Sequence, residues 1–163
     1  MLHRVWKYGD NINTDLIYSG RYTYTVLDRQ QMGQYALEDL DPHFATQAQA
    51  GDVIVGGTNW GNGSSREQAV NCLVELGIRA VIAKSFARIY YRNAINNGLL
   101  VIQCPAVVDL VNMHDQLELD LEQSRIGLNG VWYPFPSLPA SVQHILNAGG
   151  LIPYLKNAYV PPS

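Results

Sequence analysis

The stretch that decides the fold runs from residue 51 to residue 104 and reads GDVIVGGTNWGNGSSREQAVNCLVELGIRAVIAKSFARIYYRNAINNGLLVIQC. It contains three short apolar runs of strand length, Asp52–Val55, Ala80–Ala83 and Leu99–Ile102. The two segments between them carry apolar residues at helical spacing, and each ends at a glycine, Gly77 or Gly98. The order strand–helix–strand–helix–strand predicts parallel strands with right-handed crossovers, which indicates an α/β core.

The C-terminal region from about residue 117 to 150 has a different pattern. Leu117–Leu121 alternates as a half-buried strand does, and Arg125–Tyr133 is typical of a hairpin that turns at Asn129-Gly130. Pro139–Ala148 has apolar residues on one side and is predicted to form a short helix. This half of the chain therefore adds a hairpin and a helix to the parallel core.

The two ends of the chain show no clear period. Residues 1–50 are polar and rich in tyrosine, and we expect them to be irregular. The tail Tyr159–Ser163 contains two prolines and is expected to be loose. Because 163 residues with 47% hydrophobic side chains suffice for one domain with a real core, we expect a single domain over residues 1–163.

Charge and composition argue against several classes of ligand. The formal net charge is −3 and no long basic run occurs, which argues against nucleic acid. The most apolar stretch, Leu99–Val111, is interrupted by polar residues and is too short to span a bilayer, and Met1–Val5 does not resemble a signal peptide. Charged residues make up only 15% of the chain, which suggests that a partner protein covers part of the surface.

Neither the cysteines nor the histidines predict a metal site. Cys72 and Cys104 form no CxxC pair and no ligand cluster, so the simplest interpretation is two buried thiols in a reducing cytoplasm. The four histidines are scattered along the chain, at His3, His43, His114 and His144.

A glycine-rich loop, Asn59–Glu67, is the strongest candidate for a functional site. It leads into a predicted helix, whose first N–H groups and positive dipole would favour an anion. Arg66 supplies a fork that can hold a carboxylate with two hydrogen bonds, and Ser64 can act as a base if its alkoxide is stabilised. The alternative is a plain helix cap, in which Ser64 and Glu67 form a capping box and Arg66 is solvated. The crowding of two hydroxyls and an arginine beside two glycines favours a site for a small carboxylic acid.

Two other polar clusters are less specific. Lys84 and Arg88 lie one helical turn apart and could both meet an anion, although their spacing alone favours a solvated basic face. The segment Asp10–Asp15 is dense in turn-forming residues and lacks the pattern of a calcium loop, so a structured turn is expected.

Taken together, these motifs resemble a known family. DNINTD at Asp10–Asp15, NWGNGSSRE at Asn59–Glu67 and AKSFARI at Ala83–Ile89 are similar, in order and spacing, to the small subunit of 3-isopropylmalate dehydratase. That subunit corresponds to the swivelling domain of aconitase, the domain at its C-terminal end. The resemblance implies a three-layer β/β/α domain, which suits the mixed pattern of strands and helices.

The resemblance also implies a chemistry and a partner. Family members isomerise 2-isopropylmalate and 3-isopropylmalate by dehydration and rehydration, a step of leucine biosynthesis, with a [4Fe-4S] cluster acting as a Lewis acid on the leaving hydroxyl. The family's base falls on Ser64 and its carboxylate-binding arginine on Arg66, with Gly63 and Ser65 lining the site. Supporting roles fall on Lys84, Arg88 and Asp15. Because such a cluster takes three cysteines, it is expected on a large subunit, and this chain alone should be inactive.

Substrate choice is expected to depend on the loop Gly20–Thr25, in which Arg21 and Tyr24 would contact the substrate. Homoaconitase-type subunits resemble Tyr-Leu-Arg-Thr at Tyr22–Thr25, and their arginine holds an extra carboxylate. Tyr24 replaces that arginine here, which favours a substituted malate such as isopropylmalate. Homocitrate-type acids, citramalate and 2,3-dimethylmalate remain alternative substrates. A non-catalytic regulator or carboxylate-binding module is the alternative from another class.

Overall fold

A computed structural model describes residues 1–158, so the tail expected to be loose, Tyr159–Ser163, lies outside the described residues. Within that range seven strands form one sheet: β1 (Leu2–Lys7), β2 (Val53–Val55), β3 (Ala80–Ala83), β4 (Leu100–Gln103), β5 (Gln116–Asp120), β6 (Arg125–Leu128) and β7 (Val131–Pro134). The described helices are α1 (Thr14–Ile17), α2 (Phe44–Gln47), α3 (Gln68–Glu75), α4 (Arg88–Asn96), α5 (Pro105–Val108), α6 (Ala140–Ala148) and α7 (Leu151–Ala158). Two 3₁₀ helices cover Gly20–Tyr22 and Arg29–Tyr35.

The sheet has a parallel half and an antiparallel half. Its strand order is β4-β3-β2-β1-β5-β6-β7, with parallel pairing from β4 to β1 and antiparallel pairing from β1 to β7. The three predicted parallel strands are confirmed. The hairpin is confirmed as well, and φ values of 52° at Asn129 and 80° at Gly130 are those of a type I′ turn.

Strand β1 corrects the prediction that residues 1–50 are irregular. It lies at the centre of the sheet, between β2 and β5. Its sequence, LHRVWK, does not show the usual strand alternation of apolar and polar residues. The polar residue His3 is buried, and the charged Arg4 lies within the strand. That charge is neutralised by Asp52, whose Oδ2 lies 2.8 Å from Arg4 Nη2.

Each face of the parallel strands packs against a different layer. Ile54 and Val81 belong to an apolar cluster that includes buried residues of α3 and α4. Val55 and Ile82, which point the opposite way, belong to a second cluster that includes buried residues of β5 and β6. The sheet therefore curls so that its antiparallel half covers the parallel half, and the layers run antiparallel strands, parallel strands, helices. This confirms the predicted β/β/α architecture.

Several local predictions need correction. Helix α3 begins at Gln68 after an N-cap, Glu67, that makes no side-chain capping bond, so the capping box between Ser64 and Glu67 does not form. The sequence pattern does not predict the short helix α5, which Pro105 opens. Helix α7 was not predicted.

No helix within residues 1–158 combines the length and apolar character needed to cross a membrane.

Candidate functional site

Three loops meet at the carboxyl ends of β1, β2 and β3, the edge of a parallel sheet where ligands commonly bind. Backbone hydrogen bonds join the loops. The Gly61 N–H donates to the Ile12 carbonyl and the Thr14 N–H to the Asn62 carbonyl, both over 2.8 Å. The Ala87 N–H donates to the Trp60 carbonyl over 2.9 Å. The glycine-rich loop is therefore held between the start of α1 and the start of α4.

Two glycines shape this loop. Gly61 has a φ of +83°, and a Cβ at this position would collide with the ring of Tyr90 in α4. Gly63 has a φ of +102°, and a Cβ there would lie 3.3 Å from Thr14 Oγ1. Because residues with side chains rarely adopt such φ values, glycine permits both close approaches. The result places Ser64 beside α1, away from the helix cap that its spacing suggested.

The loops line a pocket of about 180 Å³ that is open to the surface. Its lining combines small, hydroxyl and cationic residues: Thr14, Gly61, Gly63, Ser64, Ser65, Arg66, Ala87, Arg88, Ile89, Tyr90 and Asn93. None of these lining residues is acidic, so the pocket suits an anion. The hydroxyls of Ser64 and Ser65 supply further donors.

The helix that serves this pocket differs from the predicted one. Helix α3 starts at Gln68, which does not line the pocket. The first residues of α4 do line it, and the N-cap of α4, Ala87, makes no side-chain capping bond. Because the first N–H groups of a helix lack partners within the helix, α4 presents its positive end to the pocket. The positive helix end that was expected at the pocket is present, but it belongs to α4 and not to α3.

Ser64 is exposed at the pocket. Its Oγ lies 3.4 Å from Oγ1 of Thr14, a residue that is only 3% exposed. The sequence interpretation did not place Thr14 among the candidate site residues. The available signal was its position inside the motif Asp10–Asp15, which was interpreted as a turn.

Arg66 is only 16% exposed and already binds three oxygens. Its Nη2 donates to Asp15 Oδ1 over 2.6 Å and to the Tyr18 carbonyl over 2.9 Å, and its Nη1 donates to Thr23 Oγ1 over 3.3 Å. A guanidinium has five N–H donors, so the Nε–H and one Nη1–H remain. Arg66 thus connects the glycine-rich loop to α1 and to the loop expected to choose the substrate. Asp15 occupies the fork that was predicted to hold a substrate carboxylate.

The remaining predicted residues fall into two groups. Arg88 lines the pocket, together with Gly63, Ser64, Ser65 and Arg66. Four others do not line it: Asp15, Lys84, Arg21 and Tyr24. Lys84 Nζ lies 2.7 Å from Asp109 Oδ1, Arg21 pairs with Glu38 and Asp39 over 3.1 and 2.9 Å, and Tyr24 is 88% exposed.

The cysteines of this chain do not fit an iron–sulfur cluster. Cys72 belongs to the apolar cluster on the helical face of the sheet and Cys104 to the cluster on the opposite face. Burial raises the pKa of both thiols, whereas cluster ligands must be thiolates that converge on one point. Among residues 1–158, no group of three or more His, Cys, Asp or Glu side chains is arranged to hold a metal ion.

Comparison with known proteins gives one consistent family. The model of the aconitase C-terminal domain matches residues 9–107. The 3-isopropylmalate dehydratase small subunit of Halothermothrix orenii is 45% identical over 158 residues, which cover 94% of this chain and 93% of that protein. The isopropylmalate/citramalate isomerase small subunit of Methanocaldococcus jannaschii is 47% identical over 156 residues, covering 94% of this chain and 92% of that protein. A crystal structure of 3-isopropylmalate dehydratase from Methanocaldococcus jannaschii has a TM-score of 0.91 and 40% identity, and covers 96% of this chain and 93% of that chain.

Proposed function

Because the chain belongs to the 3-isopropylmalate dehydratase small subunits, within the aconitase C-terminal domain family, we propose that it is the base-bearing subunit of a two-subunit hydro-lyase. The enzyme interconverts 2-isopropylmalate and 3-isopropylmalate in leucine biosynthesis. The observation that carries the proposal is the exposed Ser64 hydroxyl in a pocket free of acidic residues at the start of α4. A binding module or a regulator would not need a hydroxyl placed in this way.

Ser64 acts as the alkoxide base. Its Oγ removes a proton from the carbon next to a substrate carboxylate, and the C–H electron pair forms the double bond as the hydroxyl leaves the neighbouring carbon. Water then adds back with the hydroxyl on the other carbon, and Ser64 returns the proton. The positive end of α4 and the guanidinium groups of Arg66 and Arg88 favour both the alkoxide and the anionic substrate.

Arg66 binds a substrate carboxylate by exchanging Asp15 for the substrate, which frees the Nη2 donor that Asp15 occupies. Ser65 and the backbone at Gly63 complete the wall around that carboxylate. Asp15 holds Arg66 in place through their 2.6 Å contact, and Arg88 adds positive charge at the pocket. Lys84 does not line the pocket. It supports the start of α4 through its ion pair with Asp109.

The cluster that the family uses is carried by the partner, a large subunit, because Cys72 and Cys104 lie on opposite faces of the sheet. Their unpaired, buried thiols also support a cytoplasmic location, where disulfides are rare. The pocket of this chain is completed only when the large subunit docks over it.

Substitution of the two cysteines tests whether the cluster is bound by the large subunit alone. Cys72→Ser and Cys104→Ser should each leave the iron and sulfide content of the purified two-subunit complex unchanged. The measurement is iron and sulfide per complex, compared with the unsubstituted protein. Loss of cluster in a variant that folds and assembles would place a ligand on this chain and contradict the proposal.

Substrate choice is proposed to depend on Tyr24, which takes the place of the homoaconitase-type arginine. The loop can act at the pocket because Arg66 links it to the site through Thr23. Without a cation at position 24, an extra distal carboxylate has no partner, whereas an alkyl substituent is accepted. Arg21 contributes by fixing the loop against Glu38 and Asp39.

The reconstituted enzyme should therefore turn over isopropylmalate much faster than homocitrate or homoaconitate. Tyr24→Arg should raise relative use of the tricarboxylates about tenfold, the effect of one charge-assisted hydrogen bond. Thr25→Arg, at the next exposed position, is the matched control and should not reproduce the gain. Equal turnover of homoaconitate and isopropylmalate by the unsubstituted enzyme would show that the loop does not select against a tricarboxylate.

Citramalate is the second candidate substrate. It is favoured by the similarity to the isopropylmalate/citramalate isomerase small subunit of Methanocaldococcus jannaschii. Citramalate and 2,3-dimethylmalate carry smaller substituents than isopropylmalate and belong in the same assay, where the highest kcat/KM identifies the substrate.

A further inference from the structure

We propose that Thr14 is a positioning residue for the base, and that its hydroxyl donates a hydrogen bond to the Ser64 alkoxide. The inference rests on the proposed function, because it requires Ser64 to ionise during the reaction. It adds to the pocket a residue from α1, an element that the sequence assigned to a turn.

Thr14 is held rigidly at the start of α1. Its N–H donates to the Asn62 carbonyl over 2.8 Å, and its carbonyl accepts from the Tyr18 N–H over 2.9 Å. The Asn13 side chain caps the same helix by accepting from the Leu16 N–H over 2.9 Å. Because the Thr14 side chain is also nearly fully buried, its hydroxyl has little freedom to move away from Ser64.

Within residues 1–158, Ser64 Oγ is the hydrogen-bond partner that the structure gives to Thr14 Oγ1, over 3.4 Å. Either hydroxyl can donate while both are neutral, but an alkoxide has no proton, so Thr14 must then donate. A hydrogen bond from a hydroxyl to an oxyanion is shorter, at about 2.5–2.7 Å, and stronger than one between neutral hydroxyls. The contact therefore stabilises the alkoxide more than the neutral serine, which is the condition for helping catalysis.

The charged and titratable groups that face Ser64 come from three elements. Arg66, in the loop after β2, and Arg88, at the start of α4, each place a guanidinium group at the pocket. Tyr90 also lines the pocket, but its hydroxyl donates to the Ala69 carbonyl, and burial raises its pKa, so it stays neutral. Asp15, on α1, is bound to Arg66, and Asp15→Asn is the control that removes its charge.

The test replaces the hydroxyl without changing the shape of the side chain. In the assembled, cluster-loaded enzyme, Thr14→Val should lower kcat about 10- to 100-fold, the effect of one hydrogen bond to a charged group, and change KM less than about twofold. The limb of the kcat profile that reports ionisation of the base should move to higher pH. Thr14→Ser keeps the hydroxyl and should restore both kcat and the pH profile to near the original values.

The proposal is overturned if Thr14→Val keeps the original kcat and pH profile, or if Thr14→Ser loses as much activity as Thr14→Val. Thermal unfolding of the isolated chain checks that each variant folds. If valine prevents folding, Thr14→Ala compared with Thr14→Ser gives the same contrast. Ser64→Ala distinguishes failure of the proposed function from failure of the role proposed for Thr14. An active Ser64→Ala enzyme would refute the proposed function, whereas an inactive one beside a normal Thr14→Val enzyme would refute only the role of Thr14.

Discussion

Ser64→Ala is expected to lower turnover of the assembled enzyme by about 10²- to 10⁴-fold, the usual contribution of a positioned general base. The substitution removes the one hydroxyl of the pocket that contacts Thr14 and leaves no group of similar basicity in its place. Because Ser64 is exposed and makes no helix cap, the loss should come without a loss of stability. The measurement is kcat on isopropylmalate, with thermal unfolding and subunit association recorded for the same variant.

Ser65→Ala is the matched control for this experiment. Ser65 is exposed in the same loop and lines the same pocket, but its hydroxyl has no contact with Thr14. We expect a smaller loss of activity, seen mainly as a higher KM. Near-normal turnover by Ser64→Ala, or a deeper loss in Ser65→Ala, would remove Ser64 as the base.

Arg66→Lys is expected to lower kcat/KM about 100-fold, with a higher KM and a lower kcat. An ammonium cannot reproduce the planar fork that contacts Asp15, the Tyr18 carbonyl and Thr23 together. The substituted side chain would therefore bind the substrate carboxylate poorly and would also release the loop proposed to select the substrate. Steady-state kinetics on isopropylmalate measure both parameters.

Asp15→Asn distinguishes the two roles of Arg66. If Arg66 binds substrate, removing the Asp15 charge frees its guanidinium for the substrate carboxylate, and KM should fall. If Arg66 only anchors the loops, Asp15→Asn and Arg66→Lys should cause similar losses of stability and little change in KM. The second pattern would reduce Arg66 to a structural residue.

The parallel half of the sheet could be predicted from sequence because its strands are buried on both faces. Val53–Val55 and Ala80–Ala83 are therefore continuous apolar runs, which need no partner to be recognised. Strand β1 could not be recognised in this way. Its Arg4 forms an ion pair with Asp52, which lies 48 residues away in the sequence. Local patterns cannot show such a long-range pairing.

The candidate site was predicted in part for the same reason. The glycine-rich loop and its hydroxyls are contiguous, so the motif itself indicated Ser64, Ser65 and Arg66. The helix dipole was assigned to α3 because α3 follows the loop in sequence, whereas the positive φ of Gly63 turns Ser64 toward α1 and α4. Thr14 lies beside Ser64 in the pocket, although the two residues are 50 positions apart in the sequence. The role proposed for Thr14 could therefore be inferred only from the structure.

The most direct test of the central claim is an anaerobic dehydratase assay on 2-isopropylmalate with this chain alone, the cluster-loaded large subunit alone, and the two together. We expect turnover only when both chains are present, and loss of that turnover when this chain carries Ser64→Ala. Turnover by either chain alone, or none by a fully assembled and cluster-loaded complex on isopropylmalate or citramalate, would contradict the account.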